Sequence, residues 1–308
     1  MLHRFSLVAP HPIPASLCHH VRLAIEDVTS DYDARPVATV GLHAHTWLFD
    51  GPDEDAPGSY GSRYASRAEF YDELRGPAIA LAIDSALIAG PMAKAGPAAI
   101  VTDVDSTFIT TEVIEMLAAH AGAEEEVRAV TEAAMRGELD FAESLAHRVA
   151  KLAGVSEAVF GHVLAEVQLT PGAQRLVRAV HARGGRFGLV SGGFTEVVGP
   201  LAEREGIDRF VANGLEVESG ALTGRTYGPV IDSAAKVAAI EGWDREWGIE
   251  QDMVLCAGDG ANDLPMMRRA GLGVAFQGKP IVREQADCAV SFPRLDAIAA
   301  LVVWDIDA

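Results

Sequence analysis

The stretch Asp103-Val104-Asp105-Ser106-Thr107 places two carboxylates two residues apart, directly after the apolar run of residues 97–102. A short apolar run of this kind predicts a buried strand. In a parallel α/β sheet, the residues just past the carboxyl end of a strand line the ligand crevice. The pair therefore indicates a functional site at the edge of a sheet.

A second acidic cluster, Gly258-Asp259-Gly260-Ala261-Asn262-Asp263, also follows an apolar run. Adjacent strand ends would bring four carboxylates close together, and a hard divalent cation with oxygen ligands would relieve their repulsion. Beside a phosphate the expected ion is Mg²⁺. A single Asp-x-Asp pair also occurs in helix caps, in loops and in glycosyltransferases. Two acidic clusters at two predicted strand ends favour a metal site.

Short apolar runs alternate with helical segments after residue 97, which predicts an α/β fold with a doubly wound, Rossmann-like parallel sheet. The predicted strands are residues 98–103, 186–191, 253–259, 272–276 and 288–292. The predicted helices between them are residues 172–182, 232–247, 263–270 and 280–285.

The interval between the first two of these strands is longer than a crossover needs. Helical periodicity predicts helices over residues 112–121, 124–136, 141–152 and 156–167. We therefore expect a helical insertion, at about residues 112–170, that covers the crevice as a cap. Later in the chain, residues 210–231 alternate in polarity around Gly-rich turns, which predicts a β-hairpin.

Residues 1–95 are predicted to form a small α+β domain that precedes a larger one of residues 96–308. The expected elements are a strand at 5–8, a helix at 15–28, one or two strands within 37–49, an exposed loop at 50–61, a helix at 66–88 and a linker at 90–97.

The composition excludes several classes of partner. The 308 residues carry 25 basic and 44 acidic side chains, a net charge of −19, which disfavours nucleic acids and anionic membranes. Three cysteines without CxxC spacing predict neither disulfides nor a zinc site, and no apolar run is long enough to span a membrane. We expect a cytoplasmic chain. His43 and His45 would share one strand face, but without a third ligand they are interpreted as ordinary surface or packing histidines.

A third cluster, Ser191-Gly192-Gly193-Phe194, ends a predicted strand and opens the next helix. A hydroxyl and free backbone N–H groups at a helix start form an anion site. Lys236, near the start of a later helix, would add a cation for phosphate charge. Each of these features is common alone, and only their combination indicates function.

The stretches DVDST, SGGF, Lys236 and GDGAND stand in the order of the four motifs of the haloacid dehalogenase superfamily. From about residue 97 onwards, the chain resembles the phosphoserine phosphatases of that superfamily. The closer resemblance is carried by EVIEMLA, by MRGELDF and SLAHRV in the predicted cap, and by GALTGRTYGPVID in the predicted hairpin. It implies a haloacid dehalogenase core with a helical cap. Residues 1–95 are compatible with an ACT-like domain but carry no ligand signature.

The resemblance also implies roles for the acidic residues. Asp103 would be the nucleophile that becomes an aspartyl-phosphate, and Asp105 the general acid and then the base. Mg²⁺ would be held by Asp103, the backbone carbonyl of Asp105 and Asp259, with Asp263 acting directly or through water.

The phosphate group would be bound by the Ser191 hydroxyl, the Gly192 N–H and Lys236, with Asn262 helping to position it.

Two further residues would recognise the amino-acid part of the substrate. Glu112 suits an ammonium group, and the planar fork of Arg148 suits a carboxylate. The alternative for Glu112 is an acid that stabilises a helix amino terminus. The alternative for Arg148 is a solvated ion pair with Glu143 or Glu138.

The function implied by the resemblance is Mg²⁺-dependent hydrolysis of L-phosphoserine, the last step of serine biosynthesis, by a chain that the family suggests is a homodimer. One alternative is a related phosphatase or phosphotransferase acting on another small phosphomonoester. Another is an amino-acid-sensing protein with an inert core.

Overall fold

The computed structural model describes residues 1–37, 39–52, 60, 63–135 and 140–302, with the backbone alone for 132–135. Within these ranges lie one sheet of four strands and one of seven. The predicted loop at 50–61 falls mostly outside them. No helix in the described ranges is long and apolar enough to cross a bilayer.

The smaller sheet is antiparallel and has the strand order β2-β3-β1-β4. Its chain order, β-α-β-β-α-β, is that of a split βαβ unit. One face packs against both helices in an aromatic core that includes Phe5, Trp47 and Phe70. The elements are β1 (Leu2–Ala9), α1 (Ala15–Glu26), β2 (Tyr32–Val37), β3 (His43–Asp50), α2 (Arg67–Ala80) and β4 (Asp84–Ala89).

The predicted helix over residues 66–88 is wrong in its last third. α2 ends at Ala80, Ala82 has a left-handed backbone with φ 54°, and β4 then pairs antiparallel with β1. Residues 85–88 are buried on both faces of the strand. A run that is apolar throughout has no period that separates a strand from a helix, so tertiary pairing decided between them.

The larger sheet has the order β11-β10-β9-β5-β6-β7-β8 and is parallel except for β8, which forms a hairpin with β7. This confirms the predicted fold class. The strands are β5 (Ala99–Thr102), β6 (Arg186–Phe194), β7 (Arg209–Glu218), β8 (Ala221–Tyr227), β9 (Val254–Gly258), β10 (Leu272–Phe276) and β11 (Cys288–Val290). The helices after β5 and its insertion are α8 (Ala173–Ala182), α9 (Thr195–Glu205), α10 (Ser233–Trp247), α11 (Leu264–Arg269), α12 (Pro280–Gln285) and α13 (Ala297–Leu301).

The strands that follow β5 in the chain, β6 to β8, lie on one side of it, and the later strands β9 to β11 lie on the other side. β5 therefore stands at the switch point of the sheet, where ligands bind in such folds. The predicted helical insertion follows β5 and approaches this crevice, since a Cβ atom on Gly192 would lie 3.3 Å from the Phe141 ring. Its helices are α4 (Val113–Ala121), α5 (Glu124–Met135), α6 (Phe141–Ala150) and α7 (Val159–Glu166).

The predicted linker at 90–97 contains a short helix, α3 (Pro91–Ala95), whose Met92 and Ala93 are buried. α3 and α13 contact the face of the smaller sheet that α1 and α2 leave uncovered. Val8 on that face belongs to the same apolar cluster as the core of the larger sheet. The two parts of the chain therefore share a continuous core, and the boundary at residue 95 stays a prediction.

Candidate active site

Asp103 and Asp105 lie just past the carboxyl end of β5, in an irregular turn that leads towards α4. The Asp103 N–H donates to the carbonyl of Ala257 on β9 (2.9 Å), which extends the strand pairing to the residue that carries the carboxylate. The Asp105 carboxylate accepts hydrogen bonds from the Val113 N–H (2.7 Å) and from Ser191 Oγ (3.4 Å). Bonds to β9, α4 and β6 thus hold the Asp103 backbone and the Asp105 side chain in place.

Lys236, in the first turn of α10, is 1% exposed and lies between two carboxylates. Its Nζ is 2.5 Å from an Asp103 oxygen and 2.7 Å from an Asp263 oxygen. Burial alone would lower the pKa of Lys236, but the charges of Asp103 and Asp263 outweigh it and raise the pKa above its usual value. The ammonium group therefore stays charged and links the two acidic clusters.

Carboxylate oxygens of Asp103, Asp259 and Asp263 lie within 4.8 Å of one another. In the part of the chain that the structure describes, this is the one group of three or more His, Cys, Asp or Glu side chains with such a spacing. Oxygen donors at this density suit a hard divalent cation. The Asp105 side chain is not in the group, and its backbone carbonyl stays a predicted ligand.

The acids of the site have raised pKa values. Burial raises the pKa of Asp105 to about 7, and the negative charge of Glu112 adds to this effect. Burial, with the charge of Asp263, raises the pKa of Asp259 to about 6. The pKa of Asp103 is also raised by burial and by Asp263, against the attraction of Lys236. A bound cation would lower all three, because it favours the ionised carboxylates.

A cavity of about 280 Å³ opens above these side chains, between the ends of the strands and the insertion. Ser191 and Lys236 lie beneath it, 0% and 1% exposed. A larger cavity, of about 470 Å³, lies between α2, β4 and α12, away from β5. The predicted site residues that line the smaller cavity are Asp103, Asp105, Glu112, Arg148, Gly192, Asp259 and Asn262.

Comparisons with known proteins identify the family. The model of haloacid dehalogenase-like hydrolases matches residues 100–268. A phosphoserine phosphatase of Streptococcus thermophilus is 48% identical over 196 residues, which cover 64% of this chain and 91% of that protein. The chain belongs to the phosphoserine phosphatase family of haloacid dehalogenase-like hydrolases. This confirms the resemblance on which the predicted roles depend.

Other members of the family differ in extent. A phosphoserine phosphatase of Streptomyces coelicolor is 49% identical over 225 residues, which cover 73% of this chain and 55% of that protein. The chain thus spans about half the length of that relative. The crystal structure of a probable phosphoserine phosphatase from Vibrio cholerae, 31% identical, matches 97% of this chain and 86% of that chain with a TM-score of 0.74. Both sheets therefore have counterparts in a family structure.

Glu112 and Arg148, the two residues predicted to recognise an amino acid, both line the smaller cavity. Glu112 is the amino-terminal cap of α4 and accepts a hydrogen bond from Ser106 Oγ (2.8 Å). Arg148 is half-buried, and its Nε donates to the Ser144 carbonyl (3.3 Å). Burial lowers the pKa of Arg148, against the attraction of Glu112. Glu112 therefore lines the cavity, where it could meet a substrate ammonium group, and also stands at a helix start, as in the alternative interpretation.

The alternative ion pairs of Arg148 are not supported by the described side chains. The Glu143 carboxylate accepts from the Asp140 N–H in the capping box of α6, and no ion pair joins it to Arg148 in the described part of the chain. Glu138 lies outside the described residues.

The strand predicted over residues 186–191 is too short, while the anion site at residues 191–194 stays a prediction. β6 continues through the glycines to Phe194, and α9 begins only at Thr195. The Gly193 N–H is not free, since it donates to Ser191 Oγ (2.8 Å). A Cβ atom on Gly193 would lie 2.8 Å from an Asp105 oxygen, so a side chain does not fit there. The glycines serve close approach of the backbone to Asp105 rather than a helix start.

Sequence reasoning missed several residues of the cavity, namely Glu115, Thr131 and Lys279. Lys279 follows the end of β10, and its N–H donates to the Asp259 carbonyl (3.2 Å). A signal was present, because residues beyond the carboxyl end of a further parallel strand should face the same crevice.

His45 packs against an aromatic side chain. Its ring is tilted by 35° against the ring of Trp47, with 4.4 Å between the centroids, and burial lowers the pKa of His45. No histidine joins a metal-like group among the described residues.

Proposed function

We propose that this chain hydrolyses L-phosphoserine to L-serine and phosphate with Mg²⁺ as cofactor, the last step of serine biosynthesis. The observation that carries the proposal is one small cavity with the Asp103 carboxylate on its floor and Glu112 and Arg148 on its wall. An ammonium and a carboxylate group on the substrate would match those two side chains. The names of the relatives support the same substrate.

In the first step, a carboxylate oxygen of Asp103 attacks phosphorus while the bond between phosphorus and the serine oxygen breaks. Asp105 gives its proton to that departing oxygen, so serine leaves as a neutral alcohol. The hydrogen bond from the Val113 N–H holds the Asp105 carboxylate in place for this transfer.

In the second step, water attacks the phosphorus of the aspartyl-phosphate. Asp105, now ionised, takes a proton from that water, and the bond between phosphorus and the Asp103 oxygen breaks. Phosphate leaves, Asp103 is an ionised carboxylate again and Asp105 is protonated. One residue acts as acid and then as base because both transfers occur on the same side of the phosphorus.

Mg²⁺ would be held by Asp103, Asp259 and the backbone carbonyl of Asp105, with Asp263 as an additional ligand. When bound, it supplies positive charge for the phosphate oxygens next to these acids. Lys236, Ser191 and the Gly192 N–H would bind phosphate oxygens from the other side, with Asn262 positioning them.

The first prediction concerns the nucleophile. Asp103→Asn should lower phosphate release from L-phosphoserine by more than about 1,000-fold, because an amide does not form an aspartyl-phosphate. Removal of divalent cations with EDTA should abolish turnover of the wild type, and Mg²⁺ should restore it. Asp252→Asn, which changes an exposed acid before β9, is the matched control. Turnover by Asp103→Asn at the rate of that control would refute the mechanism.

The second prediction concerns substrate choice. Arg148→Ala should lower kcat/KM for L-phosphoserine roughly 100-fold, because a buried charge pair is lost. It should leave kcat/KM for phosphoethanolamine, which has no carboxylate, nearly unchanged. Arg128→Ala, on the exposed side of α5, is the control. Equal losses for both substrates would favour a phosphatase of another small phosphomonoester.

A further inference from the structure

Asn213 on β7 is 1% exposed and is not among the residues that line the cavity. All the hydrogen-bonding groups of its carboxamide are engaged. Nδ2 donates to the carbonyls of Gly192 (2.8 Å) and Gly193 (3.3 Å), and Oδ1 accepts from the Ile231 N–H (2.8 Å). The reversed amide would place its oxygen against two carbonyl oxygens, so only one orientation satisfies this network.

These bonds replace backbone pairing where it fails. β6 and β7 pair in register up to Val190 opposite Val211, and the next pair is Phe194 opposite Asn213. Residues 191–193 of β6 therefore stand opposite a single residue of β7 and form a bulge. Because regular strand pairing is interrupted across this segment, the Asn213 side chain provides the hydrogen bonds to the Gly192 and Gly193 carbonyls.

The other side of the same glycine segment faces the site. The Gly193 N–H donates to Ser191 Oγ, and that hydroxyl donates to Asp105 (3.4 Å). Since each peptide group is planar, fixing its carbonyl also fixes the direction of the N–H of the following residue. Asn213 therefore sets the orientation of the Gly192–Gly193 peptide group, whose N–H holds the Ser191 hydroxyl.

The third bond of Asn213 reaches the element that carries Lys236. Ile231 directly precedes Asp232, the amino-terminal cap of α10, which accepts from the Ala235 N–H (2.8 Å). One buried amide thus joins the glycine segment of β6 to the start of the helix that bears the buried cation.

We propose that Asn213 is a positioning residue that keeps the Ser191–Gly193 segment and Lys236 in a fixed relative arrangement for a phosphate group. This inference rests on the proposed function, since it concerns the phosphate of the substrate. Asn213 acts through Gly192, Gly193 and Ile231 and does not itself touch the ligand.

The test uses Asn213→Asp, which keeps an acceptor for Ile231 and replaces the donor by an oxygen facing two carbonyls. Asn213→Ser, which keeps one donor, serves if the Asp variant does not fold. The control is Thr195→Val, which removes the bond from Thr195 Oγ1 to the Ala212 carbonyl (3.2 Å), next to Asn213 on the same strand. Each protein is assayed with Mg²⁺ for kinetics on L-phosphoserine and for orthophosphate binding by calorimetry.

We expect Asn213→Asp to lower kcat/KM about 100-fold and to weaken orthophosphate binding about 10-fold, because small displacements of positioning groups have effects of this size. The ratio of kcat/KM between L-phosphoserine and phosphoethanolamine should not change, since Arg148 is untouched. Asn213→Ser should fall between Asn213→Asp and the wild type, and Thr195→Val should stay within about threefold of the wild type.

A folded Asn213 variant that binds orthophosphate as tightly as the wild type would overturn the proposal, because the asparagine would then serve stability alone. If the wild type binds orthophosphate but does not hydrolyse L-phosphoserine, the proposed function fails while the binding comparison still decides the role of Asn213. If the wild type hydrolyses L-phosphoserine but shows no orthophosphate binding, an unchanged kcat/KM in a folded Asn213 variant would overturn the proposal.

Discussion

The positive charge of Lys236 offsets the repulsion between the buried carboxylates beneath the cavity and so stabilises the folded chain. It contacts Asp103 and Asp263, the buried ends of the two acidic clusters, and is itself 1% exposed. Burial of unpaired charge is costly, so removal of one partner of such a network is strongly destabilising. The same ammonium group is the one proposed to bind a phosphate oxygen of the substrate.

We predict that Lys236→Met abolishes activity and lowers the free energy of unfolding by about 3–5 kcal/mol at pH 8 in EDTA, since two buried carboxylates lose their cation. Mg²⁺ should restore part of this stability, because it binds the same acids. Urea denaturation with and without Mg²⁺ measures both effects. Lys151→Met, at an exposed lysine after α6, is the control. A loss no greater than that of the control would contradict the prediction.

At the scale of elements, β6 shows how a single strand serves both stability and chemistry. Its carboxyl end leaves the ladder at residues 191–193 and supplies the site. Its amino end is fastened by Asp208, which accepts from His181 Nε2 (2.9 Å), Arg186 Nη1 (2.9 Å) and the Phe187 N–H (2.8 Å). The bonds at residues 186 and 187 thus hold the strand in position, so that its irregular end at residues 191–193 is held as well.

Burial alone would raise the pKa of Asp208, but the hydrogen bonds from Phe187, His181 and Arg186 lower it below its usual value. Since the folded state prefers the ionised form, its contribution to stability exists above the unfolded-state pKa and disappears as pH falls through the folded-state pKa. Asp208→Asn should cost about 1 kcal/mol at pH 7 after allowance for solvent screening.

The difference between wild type and Asp208→Asn should shrink once the pH falls below the lowered pKa of Asp208, where the wild-type carboxyl is itself protonated. Urea denaturation at several pH values provides the measurement. A difference that stays constant down to that pH would show that the ionised form is not what stabilises the strand.

At the scale of the whole molecule, the smaller sheet contributes to the core and not to the cavity. No described residue before Asp103 lines the cavity, yet Val8 and Ile88 belong to the central apolar cluster. Polar contacts also join the parts, from the Ser291 N–H to Asp84 (2.6 Å) and from Arg294 to the Val40 carbonyl (2.8 Å). Removal of this sheet would expose apolar residues of the larger part that are buried in the full chain.

We predict that a chain beginning at Pro97 melts at least about 10 °C below the full chain, because the apolar faces of α13 and the large sheet lose their cover. Its turnover per folded molecule should remain within a fewfold, since the described cavity residues are all retained. Thermal denaturation and an active-site titration measure the two quantities. Equal melting temperatures would show that the sheets are independent domains.

The sequence by itself determined the acidic residues that meet beneath one cavity, because motifs at strand ends report local geometry. The parallel sheet, the helical insertion and the acids at 103, 105, 259 and 263 all follow from short-range patterns. Only the tertiary structure decided that residues 84–88 form a strand, that the glycines after Ser191 continue β6, that Lys279 lines the cavity, and that Asn213 bonds to the glycine segment. The reason is physical: these features depend on pairing between segments far apart in the chain. The DVDST stretch indicated a site. The positions of its carboxylates depend on contacts with Ala257, Ser191 and Lys236, which are distant in the sequence and come close only in the folded chain.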